Sequence, residues 1–332
     1  MADPDARRAG VSRLRISKTE HPARPDHDSW RTRRTRWDLK FSPYAFISPF
    51  FILFAAFGLY PLIWTAWTSL HKVELETPDQ SSWVGLKNFT DLLSDHNFWN
   101  AFRNTFQMGV ISTVPQLMMA LGLAHLLNYK LRGRTFWRVA VLSPFATSVA
   151  AATLVFAQLF GRDYGFINWV LHLVGVHNID FQNGGWSAQI AISVIVTWRW
   201  TGYNALIYLA AMQAIPGELY ESAAMDGASR WQQFRHVTVP GLRPTILFTI
   251  VVSTIGASQL FGEPLLFSGG GSNPEMGGVN RQYQTLAMYF YERGFTDQHL
   301  GRAAAIAWAM FLMIVLFVLI NTLLARRARS AK

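Results

Sequence analysis

Polar and charged residues fill the first forty positions, and from there long apolar blocks alternate with shorter polar ones. Six apolar stretches reach the roughly 20 residues that cross a bilayer as helix. They lie near 44–70, 102–127, 137–160, 187–212, 244–267 and 302–325. Pro49, Pro61, Pro115 and Pro144 fall inside them; neighbouring helices in a membrane bundle can satisfy the carbonyls that such prolines free. The pattern predicts an all-α, polytopic membrane protein with six transmembrane helices. It divides the chain into a tail over 1–40, a first transmembrane helix and external loop over 41–100, a five-helix core over 101–325, and a short tail over 326–332.

Charge placement orients these spans. Of the 30 Lys and Arg residues, 22 lie in the first tail, around 130–138, around 230–243 and after 325. The excess of basic residues marks those segments as cytoplasmic. Both termini are then cytoplasmic, the protein is a multi-pass protein of the cell membrane in contact with lipid, and the loops near 71–101, 161–186 and 268–301 are external.

Composition removes several other classes. Only 15% of residues are charged, against about 25% in soluble domains, and the chain has no cysteine, which excludes thiol catalysis and Cys-ligated zinc. The net charge of +10 is a loop bias and not a basic stripe interleaved with aromatics, so no nucleic-acid partner is expected. Gly269-Gly270-Gly271 reads as a turn, because no Gly-Lys-Ser/Thr follows it. His172 and His177 do not share a helical face, and no metal site is expected. The chain is not expected to be an enzyme.

The cytoplasmic loop over about 213–243 carries more pattern than a connector needs. Pro216 and Gly217 start a short helix with Glu218 in its first turn, and Gly227 ends it. Ser229 with Gln232 reads as a capping box opening a second short helix, which Pro240 stops. Ala223, Ala224 and Gly227 leave a bare flank, with Glu221 and Asp226 beside it to pair with basic residues of a partner.

Glu221-Ser222-Ala223, Gly227 and then Val237-Thr238-Val239-Pro240 closely resemble the EAA signature of binding-protein-dependent ABC importer permeases. The text from Leu219 to Trp231 resembles the maltose-type carbohydrate branch, and more loosely actinobacterial permeases for cellobiose and related oligosaccharides. Ser222 stands where the family has Ala, and Val237 and Val239 where it has Ile and Leu. Gly85-Leu86-Lys87-Asn88-Phe89, Asn104-Thr105 and Ala303-Ala304-Ala305 extend the resemblance from about residue 40 to the C-terminus. It implies the type I ABC importer permease fold, with 101–325 as the permease core. The bracket becomes a coupling helix that seats on an ATPase subunit through Glu221, Ser222, Ala223, Asp226, Gly227 and Pro240. The implied partners are a second homologous permease, two ATPase subunits and an extracytoplasmic sugar-binding protein, which the external loop over 71–101 would meet. This chain carries no phosphate-binding loop and binds no cofactor itself; ATP and Mg belong to the ATPases.

Polar groups at bilayer depth mark candidate sites. Span four holds Arg199, Trp200, Tyr203 and Asn204, where Arg199 and Tyr203 share one helix face and Trp200 and Asn204 another. Span five adds Ser253, Ser258, Gln259 and Glu263. The family places its substrate on these two spans; Tyr203 matches a sugar-contact tyrosine, and Ser253 and Ala257 fall near contact positions. Arg199 has two open readings, a sugar contact or an ion pair with Glu263 that keeps the bundle in register. Gly122, Gly202 and Gly256 are expected to allow close helix packing. The function implied is import of a di- or oligosaccharide by alternating access. The alternatives are import of another polar solute such as glycerol phosphate, and a polytopic membrane enzyme using the Arg199–Glu263 pair.

Overall fold

The computed structural model describes residues 29–129, 132–267 and 276–330, with side chains from residue 41 onward except those of Pro78 and 324–330. Most of the basic tail, Lys130, the glycine triplet 269–271 and the last two residues lie outside the described residues. The chain divides into two compact units, one ending at Pro61 and one over Leu62–Lys332.

Helix α1 (Ser29–Phe54) passes through one widened turn, Ala55–Leu59, into α2 (Tyr60–Ser69). The most apolar 18 residues within Phe41–Ser69 include no buried residue, and side chains such as Phe46, Phe50 and Phe57 are exposed. That is the surface a lipid-facing span needs. A two-residue ladder then pairs β1 (His71–Lys72) antiparallel with β2 (Ser82–Trp83), ahead of the short helix α3 (Lys87–Ser94). Helix α4 (His96–Asn128) starts on the Asp95 cap, whose carboxylate accepts from the Asn97 N–H, and runs unbroken through Pro115.

The stretch expected as one span over 137–160 is two helices, α5 (Arg134–Ala146) and α6 (Val149–Leu159), set at 90°. Pro144 has no N–H for the Ala140 carbonyl, which the Ser143 hydroxyl takes instead at 2.9 Å. Thr147 and Ser148 then adopt extended backbone, with ψ of 140° and 135°. After the short helix α7 (Phe166–Leu173), α8 (Gly185–Gln213) runs 29 residues without a break. The bracket expected over 213–243 comprises α9 (Gly217–Met225), α10 (Arg230–Gln233) and α11 (Val239–Gly241).

The stretch expected as one span over 244–267 is also divided. Helix α12 (Arg243–Ser258) ends at Gln259, and the chain resumes as α13 (Gly262–Phe267). Gln259 leaves the helix at φ −107°, ψ 17°, and the carbonyl of Leu260 in the break accepts from the Thr285 hydroxyl at 2.6 Å. A short helix, α14 (Leu286–Tyr291), precedes the last, α15 (Leu300–Ser330).

Among the described residues, three helices are long and apolar enough to cross a membrane by themselves: Phe41–Ser69, His96–Asn128 and Leu300–Leu323. Two bent pairs reach that measure only when joined, α5 with α6 and Arg230–Gly241 with α12. Helix α8 has the length, but Gln189, Arg199 and Asn204 make it more polar, and all three are buried. It packs against α4, α5, α12 and α13. The closest approach is at Gly202, where a Cβ would stand 1.7 Å from the Val141 carbonyl oxygen of α5. Gly122 and Gly256 do not serve close packing, because a Cβ at either would meet nothing within 4 Å.

A polar clasp ties the start of α4 to the segment around α14. Asn100 and Asn104 of α4 both donate to the Arg281 carbonyl at 2.9 Å, and the Arg281 guanidinium forks onto Glu292 at 2.8 and 2.9 Å. Asp95 accepts from the Tyr289 hydroxyl and pairs with Arg293 at 3.3 Å. Burial, reinforced by the bond to Asp95, pushes the Tyr289 hydroxyl up to about 12. Burial also works to raise the Asp95 carboxyl, but its bonds to Tyr289 and Asn97 and the Arg293 charge outweigh it, and the carboxyl is held below its ordinary value.

Candidate functional site

The two helix breaks face the middle of α8, and Arg199 reaches both. Its Nη1 donates to Glu263 Oε1 at 2.6 Å, in the first turn of α13. Its Nη2 lies 3.5 Å from the Thr147 carbonyl, at the break between α5 and α6. Arg199 is 7% exposed and Glu263 6%, so neither charge is balanced by water. Of the two readings left open by the sequence, the ion pair is present.

Beside this pair lies a cavity of about 500 Å³. Arg199, Trp200, Tyr203 and Asn204 line it from α8, Ser253 from α12, and Gln259, Gly262 and Glu263 from the second break and α13. Seven of the eight proposed substrate residues therefore meet at one cavity. The eighth, Ser258, is turned away: its hydroxyl donates to the Thr254 carbonyl at 2.8 Å, and it lines a separate apolar cavity between α4, α12 and α15.

The aromatic wall is built against α5. Phe145 stacks on Tyr203 with centroids 4.8 Å apart, and Trp200 meets the rings of Phe145 at 5.1 Å and Tyr203 at 5.8 Å, edge to face. Such rings offer flat apolar faces with polar edges. The Asn204 amide is 3% exposed and donates weakly to the Trp200 carbonyl at 3.3 Å. Two contributors escaped the sequence reading. Phe145 looks like any apolar residue of its stretch. Gln116 did carry a signal, an amide at bilayer depth beside Pro115. It is 3% exposed, lines the cavity from α4, and its side chain makes no hydrogen bond among the described residues.

The bracket between α8 and α12 is the second candidate site. Helix α9 ends in a paired αL cap: Gly227 N–H donates to the Ala224 carbonyl at 3.0 Å, and Ala228 N–H to the Ala223 carbonyl at 2.9 Å. Gly227 has φ +80°, which glycine adopts without strain. The Ser229–Gln232 capping box expected for the next helix is present in both directions. Tyr220 and Thr238 join the two legs through a 3.0 Å hydroxyl contact. Between the legs is an open hollow of about 270 Å³, lined by Ala223, Asp226, Gly227 and the second leg. Glu221, Ser222 and Asp226 are exposed, Ala223 is half-buried, and Pro240 sits where the chain bends by 66° into α12. Glu221 makes no ion pair among the described residues.

Residues 106–330 match the family described as binding-protein-dependent transport system inner membrane component. The chain belongs to this family. It is a permease component, embedded in the membrane, and not an ATPase. Similar proteins include an arabinooligosaccharides transport system permease of Halalkalibacterium halodurans, 33% identical over 84% of this chain and 85% of that one. A trehalose/maltose transport system permease of Thermococcus litoralis is 30% identical over 86% of this permease and 94% of its own length. A lactose transport system permease of Rhizobium radiobacter is 33% identical over 86% and 94%. In fold, the permease is similar to a chain of a bacterial ABC transporter involved in alginate import, with a TM-score of 0.73 at 23% identity, covering 90% of this chain and 98% of that one.

Proposed function

We propose that this permease carries a di- or oligosaccharide into the cytoplasm, through the cavity at the two helix breaks. The observation that supports this reading is the pairing of an aromatic wall, Trp200 and Tyr203 braced by Phe145, with the buried amides Gln116 and Asn204. Aromatic faces suit the apolar face of a sugar ring, and amides suit its hydroxyls. The substrates named for the relatives, arabinooligosaccharides, trehalose or maltose, and lactose, point the same way. An anionic solute such as glycerol phosphate would want a free cation, whereas the cation lining this cavity, Arg199, is already neutralised by Glu263.

In this reading the chain has six spans with both termini cytoplasmic, α8 being one of the six. It pairs with a second homologous permease, with two ATPase subunits that hold ATP and Mg, and with an extracytoplasmic sugar-binding protein. Glu221, Ser222, Ala223, Asp226, Gly227 and Pro240 form the docking surface for an ATPase. Closure of the ATPases moves the bracket, and α12, which follows it directly, passes the movement to the break at Gln259. The cavity then opens alternately to the two sides.

Two measurements test this. Purification of the tagged chain from native membranes should bring an ATPase with it. An impermeant thiol reagent applied to intact cells should label Tyr164→Cys, which is fully exposed in the external loop, and spare Met225→Cys in the bracket. The reverse labelling, or a chain that purifies without an ATPase, overturns the reading.

A further inference from the structure

At the bracket end of α8, two arginines converge with no acid paired to either among the described residues. Arg134 and Arg138 stand one turn apart at the start of α5, and Gln213 is the last residue of α8. With the Gln213 amide turned to face them, its oxygen accepts from Arg134 Nη2 at 2.7 Å and from Arg138 Nη2 at 2.8 Å. One neutral oxygen therefore holds two guanidiniums together. Neither makes an ion pair among the described residues. The Nε of each is buried and donates to nothing among the described residues. Two like charges gathered at half-buried depth repel each other, and repulsion grows as water is excluded. The arrangement is stable with an anion across it, and forked guanidiniums are matched to phosphate oxygens.

The surroundings indicate the source of that phosphate. The same turns of α5 expose Phe136, Trp137 and Val139. Large aromatics beside arginines at the mouth of a span are the dress of the headgroup layer, where rings anchor in the interface and cations meet lipid phosphates. A soluble anion would gain nothing from those rings.

We propose that Arg134 and Arg138, held by Gln213, bind the phosphate of an anionic phospholipid. The site clips the start of α5 to the end of α8, three residues before Pro216 opens the bracket, so an occupied site stiffens the support on which the bracket moves. This proposal stands apart from the identity of the transported solute.

The test uses the full chain, purified with its accompanying subunits and reconstituted in phosphatidylcholine alone or mixed with phosphatidylglycerol. Retention of phosphatidylglycerol after delipidation is read by mass spectrometry. The double variant Arg134→Gln/Arg138→Gln should retain it about 30-fold more weakly, from two basic charges at about a factor of five each. Gln213→Glu supplies a carboxylate from within the chain and should expel the lipid while keeping the helices clipped, so it serves even where the double variant folds poorly. Unchanged retention in both variants overturns the proposal. So does retention unchanged in Arg134→Lys/Arg138→Lys, since charge alone would then suffice without the forks. Protection of these arginines from dicarbonyl modification by inorganic phosphate in pure phosphatidylcholine would assign the site to a free anion instead. Loss of a co-purifying subunit from the double variant, with lipid retention intact, would assign it to a protein carboxylate.

Discussion

Replacing Arg199 by Met leaves the Glu263 carboxylate, 6% exposed, without its counter-charge. It also withdraws the donor from the Thr147 carbonyl, where α5 turns into α6. Breaking one side of a buried pair costs about 3–5 kcal/mol. The long contact to Thr147 adds about 1 kcal/mol or less. The folded population should therefore fall by roughly a hundred- to twenty-thousand-fold relative to the unfolded one. Glu263→Gln should cost nearly as much, because it strands the guanidinium. The double variant Arg199→Met/Glu263→Leu removes both charges and should recover most of the loss. Resistance of the assembled permease to heat, followed by gel filtration in one detergent, reads all four proteins. If either single variant matched wild type in that assay while its sugar preference changed, Arg199 would be a ligand contact and the bridging role would be refuted. A double variant weaker than both singles would refute it equally.

The other predictions concern close packing, coupling and pH. Gly202→Ala drives a methyl into the Val141 carbonyl and should cost about 3 kcal/mol, the upper end for overpacking, seen as reduced assembly in the same heat assay; Gly122→Ala, which meets nothing, should not. Gly227→Leu adds left-handed strain of about 1–2 kcal/mol and fills the hollow, while Glu221→Lys reverses the exposed charge; both should insert normally yet lose uptake and binding-protein-stimulated ATPase activity. Asp95 and Asp180 are held below their ordinary values: burial works to raise both, but hydrogen bonds and the Arg293 and Arg162 charges outweigh it. A lowered folded value means the unfolded chain binds the proton more readily. The stabilisation is then complete above about pH 4 and is lost as pH falls through the folded values, so heat resistance should be flat from pH 7 to about 5 and decline below about 4.

The helical fold and the bracket were legible because their signals are local. Capping pairs, a terminal glycine and apolar length depend on neighbours within a turn or two. The two breaks were less so. Pro144 announced a kink, but a 90° turn arises only when Thr147 and Ser148 go extended and a distant side chain, Arg199, answers the carbonyl. The second break also had a local sign, Pro264, which has no N–H for the Leu260 carbonyl, but the partner that sustains it, Thr285, lies 25 residues further along the chain. The cavity was half legible. Polar residues on α8 betrayed themselves within apolar sequence, whereas Ser258 satisfied its own helix one turn back and Phe145 entered the wall only through the packing of α5 at Gly202.

Sugar-dependent uptake by the reconstituted importer, normalised to assembled complex, tests the central claim most directly. Tyr203→Phe keeps the ring and removes the hydroxyl, and Asn204→Ala and Gln116→Leu remove buried amides from the cavity. Each lost hydrogen bond at a buried site costs about 1–3 kcal/mol, so apparent sugar affinity should fall roughly 5- to 150-fold, with ATP-dependent stimulation by the loaded binding protein still reaching its full extent at saturating sugar. Wild-type sugar dependence in all three variants would place the translocated sugar elsewhere and contradict the account.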